Sequence, residues 1–213
     1  MLTCQGVNAT EAIARRKRAD GERSRAAILD AAARLATVEG LEGLSIGRLA
    51  AHIGMSKSGL YAHFGSKEEL QLAAIDRAVE IFAAEVIEPA RAAGRGLARL
   101  EAVVDSFASY LERRVFPGGC FFHAVTAEID SHPGPVREKL AELQLGWLAG
   151  LERWIQVAQA DGDIDPDEDA AQLAFELHGM MNMGNAVFVL QRDPQALQRA
   201  RRGFHARLAA ARN

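Results

Sequence analysis

The chain has 213 residues, 49% of them apolar and 6% aromatic, enough to build one or two small globular domains. No run of about 18 apolar residues occurs, so no membrane-spanning helix is predicted. Arg15, Arg16, Lys17 and Arg18 stand where a secretory signal would be apolar, so a cytoplasmic location is expected. The net charge of −3 conceals an asymmetry: residues 1–67 hold ten Lys/Arg against six Asp/Glu, whereas the remainder carries a surplus of seven anions, which suits one end of the molecule to a polyanion.

Residues 1–19 read as a flexible basic extension, either an arm for a DNA minor groove or a solvated tail. Asp20 is predicted to cap a first helix running to about Val38, with Ile28, Ala31, Ala32 and Leu35 on one stripe. Gly40 and Gly43 end it. Ser45 caps a second helix with Ile46, Leu49, Ala50 and Ile53 inward. After Gly54, Ser56 opens a short third helix. Ser66 caps the fourth, with Glu69 as capping-box partner, and Pro89 is expected to stop it near Ile87. Leu100, Val103, Phe107, Tyr110 and Leu111 mark a fifth helix, stopped by Pro117-Gly118-Gly119. A sixth spans about Cys120 to Asp130. A long seventh carries Leu140, Leu143, Trp147, Leu151, Trp154 and Ala158. Asp165-Pro166 is predicted to open an eighth and Asp193-Pro194 a ninth. No segment shows strand alternation, so the fold class is all-α with about nine helices. The expected units are the extension over 1–19, a short-helix unit over 20–70, and a larger helical unit over 71–213.

Within 45–70 the residues are too small and polar to serve a core. Two short helices joined at Ile53-Gly54-Met55 make a helix-turn-helix, with Gly54 free to take positive φ. Leu49, Ile53, Leu60 and Phe64 pack inward and leave Lys57, Ser58 and His63 outward. A helix entering a major groove about 12 Å wide needs short side chains at its leading end and a few donors. Ser56 caps it, Lys57 reaches a base edge or a phosphate, and Gly59 permits close approach. Tyr61 and His63 suit backbone oxygens. Ser45 and Lys67 sit at helix N-termini that favour phosphate. Arg48 completes the predicted DNA-binding set.

The stretch "RAAILDAAARLATVEGLEGLSIGRLAAHIGMSKSGLYAHFGSKEEL" resembles the N-terminal domain of the TetR family of transcriptional regulators. The likeness rests on Ile28-Leu29, Ala31-Ala32, Gly40, Ser45, Leu49-Ala50, Gly54, Ser56, Leu60-Tyr61, His63-Phe64 and Ser66-Lys67-Glu68, in order, over about residues 23 to 72. Ser58-Gly59 departs from it, since many members place Gly-Ser or Gly-Thr there. Residues 120–164, with "GCFF" and "HPGPVREKL", resemble the C-terminal part of one subset of such proteins. The resemblance implies an all-α homodimer with a three-helix DNA-binding domain and a larger ligand-binding domain. It also implies a repressor of a palindromic operator, released by a small molecule through the fourth helix. The expected partners are double-stranded DNA, an unidentified small-molecule effector and a second copy of the chain, with no cofactor and no membrane. The alternatives are an activator, or a helical small-molecule-binding or interaction protein without operator binding.

In the body, Phe107, Phe122, His123, Thr126, Trp147, Trp154, His178 and Met181 are the predicted effector-binding residues, with Phe121, Met180 and Met183 beside them. Each also fits an ordinary bundle core. Aromatics and Met suit an adaptable apolar cavity. Gly179, Gly184, Val187, Leu197, Phe204 and Leu208 are expected either to form a four-helix dimer interface or to close the subunit's own core. The two cysteines, Cys4 and Cys120, have no CxxC spacing and argue against a disulfide framework or a cysteine zinc site. Nothing in the sequence depresses the Cys120 pKa. The six histidines include no HExxH pair, and no phosphate loop follows a strand. Catalysis and a metal site are not expected.

Overall fold

The computed structural model describes the backbone of residues 5–212, and side chains from residue 21 onward except residue 22. Among the described residues every regular element is helical. In chain order these are α1 (Gln5–Glu39), α2 (Ile46–Ile53), α3 (Lys57–Tyr61), and α4, which runs unbroken through Lys67–Phe82, the π-helical turn Ala83–Ile87 and Glu88–Ala92. Then follow α5 (Gly96–Glu112), α6 (Phe121–Ile129), α7 (Pro135–Ala160), α8 (Ala170–Gln191) and α9 (Gln195–Ala210). None of these helices is long and apolar enough to cross a membrane.

The local grammar of residues 45–70 forms as the sequence predicts. Ser45 Oγ accepts the Arg48 N–H, Ser56 Oγ accepts the Gly59 N–H, and Ser66 Oγ accepts the Glu69 N–H. Each satisfies one of the orphan donors of a helix N-terminus. Glu69 reaches back past Ser66 to the Gly65 N–H at 2.9 Å, one residue beyond the usual capping-box partner. Gly54 closes α2 in the left-handed region, φ +69°, where a Cβ would be strained.

Three boundaries differ from expectation. α1 begins at Gln5 rather than Asp20. The Ala- and Arg-rich run 9–19 favours helix, and Gly21 costs only about 1 kcal/mol, too little to interrupt it. The expected flexible extension is therefore helical from Gln5; the side chains of Arg15 to Arg18, and Cys4, lie outside the described residues. α4 passes through Pro89 instead of ending near Ile87. The π turn lets the Glu88 N–H bond back to the Ala83 carbonyl, and Pro89 then occupies an opening turn, where a missing N–H is tolerated. α8 is capped by Asp169, whose carboxylate accepts from the Ala171 and Gln172 N–H groups at 3.0 Å each. Asp165 instead turns on itself: its carboxylate takes the Asp167 N–H at 2.9 Å and its carbonyl takes the Glu168 N–H at 3.1 Å.

One apolar core runs through the molecule. In the head, Ile28, Ala32, Leu49, Leu60, Phe64 and Leu70 are buried; in the body, Leu100, Val103, Tyr110, Leu151, Ile155, Leu173 and Leu177 are. Each Leu or Phe contributes roughly 1.5–3 kcal/mol by leaving water. The seam between head and body is polar and specific. Glu128 on α6 accepts the Leu41 N–H at 2.7 Å and the Glu42 N–H at 2.9 Å. Buried Gln71 donates to the Leu41 carbonyl at 2.7 Å. The Gly118 N–H donates to Thr37 Oγ1 at 3.1 Å, and Arg77 pairs with Asp30 at 2.6 Å. Farther off, Arg207 on α9 clamps Glu168 and Glu176 at 2.7 and 2.5 Å.

Candidate nucleic-acid interface and effector cavity

The predicted contact residues of the head stand on α2, on α3 and at the start of α4. Arg48, Ser56, Lys57, Ser58, Tyr61 and Lys67 are exposed; Ser45, Gly59 and His63 are half-buried. α3 is little more than one turn, so only its leading residues can reach far into a groove. Lys57 Nζ lies 5.9 Å over the Tyr61 ring centroid, a cation–π contact. Ser45 and Ser56 spend their oxygens on caps, leaving Ser58 Oγ, 3.4 Å from Ser56 Oγ, as the serine hydroxyl of this set that caps no helix. Two of the predicted DNA contacts are already paired: Arg48 with Glu39 at 2.7 Å and Lys67 with Glu42 at 2.9 Å. The Lys67 ammonium holds the Glu42 carboxyl below its ordinary value. Sequence reasoning missed Arg25. It donates to the His63 carbonyl at 2.8 Å and its guanidinium lies 4.5 Å over the Phe64 ring, fixing the end of α3 to α1.

A cavity of about 710 Å³ opens between α4, α5, α6, α7 and α8, within the range of small-molecule sites. Of the predicted effector residues, Phe107, Phe122, His123, Thr126, Trp147, His178 and Met181 line it. Trp154 does not; it stands behind Trp147, edge-to-face at 6.3 Å, with the Arg99 guanidinium over its own ring. The sequence did not point to Phe82, Ala83, Ile87, Asn182 or Asp130, which also form the wall. Phe82 is the hub of the ring cluster, edge-on to Trp147 at 5.5 Å, Phe122 at 5.7 Å and Phe107 at 6.4 Å. Cys120 also faces the cavity, but burial pushes its thiol up, away from the thiolate.

Burial lowers His123, and burial with His123 nearby lowers His178, each from an ordinary 6.5. The fold therefore favours neutral imidazoles. That stabilisation is complete above about pH 6.5 and is lost as the pH falls through the depressed folded values, because the unfolded chain takes up protons first. Thermal melts on either side of that pH should show the midpoint falling on the acid side, less steeply in His178→Asn. An equal fall in that variant removes His178 from the account.

The family described as bacterial regulatory proteins, tetR family, matches residues 28–74. The tetracyclin repressor-like C-terminal domain matches residues 96–204. The chain belongs to the TetR family. Its members are DNA-binding transcription factors and not enzymes, so this TetR-family chain is a DNA-binding regulator with a ligand-binding domain. It is similar to a TetR transcriptional regulator from Chloroflexus aurantiacus, at 28% identity and a TM-score of 0.82, covering 89% of this chain and 96% of that one. A structure of AibR in complex with isovaleryl coenzyme A and operator DNA aligns at 26% identity and a TM-score of 0.66, covering 84% and 95%. SCO4454 from Streptomyces coelicolor shares the fold at 23% identity and a TM-score of 0.75, covering 96% of each chain. No curated protein was found to match the sequence.

In this TetR-family chain α8 and α9 pack as a pair, and the residues expected at a dimer interface divide between two environments. Leu197, Phe204 and Leu208 are buried within the single subunit, and Gly184 lets α9 approach so closely that a Cβ there would stand 2.6 Å from Ala200 Cβ. These four serve the subunit's own core, the second of the two expected readings. Gly179 is exposed and Val187 half-buried. The exposed apolar stripe is instead Phe175, Gly179, Met183 and Leu190 on α8, with Phe175 and Met183 each 65% exposed and Leu190 85%.

Proposed function

We propose that this chain is a homodimeric repressor that holds a two-fold symmetric operator and releases it when a small molecule fills the cavity. Lys57, Ser58 and Tyr61 make the groove contacts, and Arg48 and Lys67 take phosphates. Ser45, Ser56, Gly59 and His63 set the angle of approach. Release is supported by one observation above all: α4 starts at Lys67 beside the reading unit and supplies Phe82, Ala83 and Ile87 to the cavity wall. A ligand that prefers one placement of α4 shifts the population of head orientations. AibR, whose structure holds both isovaleryl coenzyme A and operator DNA, supports the pairing of these two kinds of partner on one fold. Selection of bound duplexes from a random pool tests the proposal. A winner with two-fold symmetry and half-sites about 34 Å apart is expected; absence of any preferred duplex in dilute salt, ligand-free, overturns it.

The dimer is assigned to the α8 stripe. Phe175, Met183 and Leu190 lie along one helical face, and apolar groups this large in a row mark a protein contact. Leu190→Glu combined with Met183→Glu should yield a folded monomer in sedimentation experiments and weaken operator binding. A double variant that stays dimeric places the interface elsewhere.

A further inference from the structure

The cavity carries more chemical information than its size. No Lys or Arg lines it among the described residues, and its two carboxylates, Asp130 and Glu142, are on exposed residues. An anion entering there meets negative charge at the edge and no cation within. The polar groups farther in are neutral. Trp147 Nε1–H lies 3.0 Å from His178 Nδ1. An indole N–H can only donate, so Nδ1 accepts and the imidazole proton sits on Nε2. Asn182 Nδ2 stands 2.9 Å from His178 Nε2, and two N–H groups cannot bond one another, so the amide is assigned turned over. A ring N–H facing that amide requires its oxygen, so Asn182 accepts through Oδ1 and turns its NH2 group away from the ring. Asn182 lines the cavity. The same burial that keeps His123 and His178 neutral acts against a positively charged ligand. Phe82, Phe122 and Trp147, packed edge to face, offer ring surfaces to which a further flat ring adds in the same manner.

We propose that the effector is an uncharged, ring-bearing molecule with a carbonyl-type acceptor, its ring seated against Phe82, Phe122 and Trp147 and its acceptor bonded to the Asn182 NH2. This rests on the assignment of the cavity as the effector site, and it excludes an anionic coenzyme A thioester such as the one held by AibR. Contact with Phe82 also places the ligand on α4 at the entry to its π turn.

Four probes of one ring system separate the contributions: 2-acetylnaphthalene, 2-ethylnaphthalene, 2-naphthoate and (2-naphthylmethyl)trimethylammonium. Calorimetric titration of the full chain, without DNA, should find the ketone tighter than each of the others by about tenfold, the worth of one buried hydrogen bond. Asn182→Leu should abolish the ketone's advantage over the hydrocarbon. Asn182→Asp, which still accepts from His178 but has no donor, should do the same if the Leu variant does not fold. Preference for the carboxylate or the ammonium, a ketone advantage that survives in the folded variant, or no binding by any probe at its solubility limit overturns the proposal. Because these titrations contain no operator, a ketone that binds as expected yet leaves an operator complex intact overturns ligand release and not the ligand class.

Discussion

A single methyl group at Gly118 is expected to unlock the reading head from the body. A Cβ there would lie far inside van der Waals contact of the Thr37 carbonyl oxygen and 2.9 Å from Thr37 Cβ. Both are fixed at the end of α1, where Thr37 is buried and already bonded to Gly118 through its hydroxyl. Neither neighbour is the free end of a flexible side chain, so one backbone segment must move. Gly118→Ala should therefore reach or exceed the upper end of overpacking penalties, about 3 kcal/mol, and lower the unfolding midpoint by roughly 6–12 °C for a chain of this size. Glu128→Ala acts on the same seam by loss instead of excess. It strips the acceptor from two N–H groups, one of them on fully buried Leu41, at about 1–3 kcal/mol. Glu128 also explains Gly40: a Cβ there would meet the carboxylate at 2.6 Å, and its φ is +80°. The steric part of the Gly40→Ala penalty should vanish in a Glu128→Ala background, leaving the strain of positive φ. Calorimetric midpoints of the two single variants and the double variant check this. Additive losses would separate Gly40 from the carboxylate, and a Gly118→Ala midpoint within a degree or two of the parent would mean the seam is loose.

What the sequence disclosed follows from how local each signal is. Ser45, Ser56 and Ser66 each bond an N–H three residues ahead, and Gly54 takes its φ for the adjacent turn, so a short window of sequence holds the whole cause. Stripes such as Ile28, Ala32 and Leu35 declare a buried face, but not what covers it. That is why Leu197, Phe204 and Leu208 suited a dimer interface and the subunit core equally well until α8 was seen to cover them. "DGDIDPDED" holds several acids able to cap a helix. The choice fell to Asp169 because distant groups hold the earlier turn: Gln159 Nε2 bonds the carbonyls of Asp165 and Glu168 at 2.9 and 2.8 Å, and the Ala211 carbonyl takes the Asp165 N–H at 2.8 Å. Arg25 and Glu128 gave no local sign, since their partners lie 38 and 86 or 87 residues away. Five of the nine Phe, Trp, Thr and Met residues expected in or beside the cavity line it, because large side chains beside a stripe's edge face whatever space the helices leave; Trp154, two turns past Trp147, falls behind it, and Phe121, Met180 and Met183 stand outside the lining.

Removing the positive charges of the head should weaken DNA binding in two distinguishable ways. Among the described residues Lys57 has no acidic partner, and it is poised over Tyr61 at the leading end of α3. If it meets a base edge, Lys57→Ala costs about 1–3 kcal/mol per head and relaxes sequence preference at one position of each half-site. A dimer carries the loss twice, which makes this the largest expected effect on operator affinity. Lys67 differs because it is shared with Glu42 at 2.9 Å. An exposed pair of this kind is worth about 0–1 kcal/mol, so a phosphate competes for the ammonium easily. Lys67→Ala then removes one counterion-releasing contact per head and lowers the slope of log affinity against log salt by roughly 0.9 for each. It also leaves the Glu42 carboxylate unneutralised beside the backbone it must approach. Glu42→Gln should do the reverse: it frees Lys67, removes a negative charge and tightens binding to every duplex, most at low salt. The same sign holds for Glu39→Gln, which frees Arg48 from its 2.7 Å pair. Fluorescence anisotropy across a salt series reads all four variants. An unchanged slope in Lys67→Ala, or weaker binding in Glu42→Gln, would show that these ion pairs hold the head together and do not wait for phosphate.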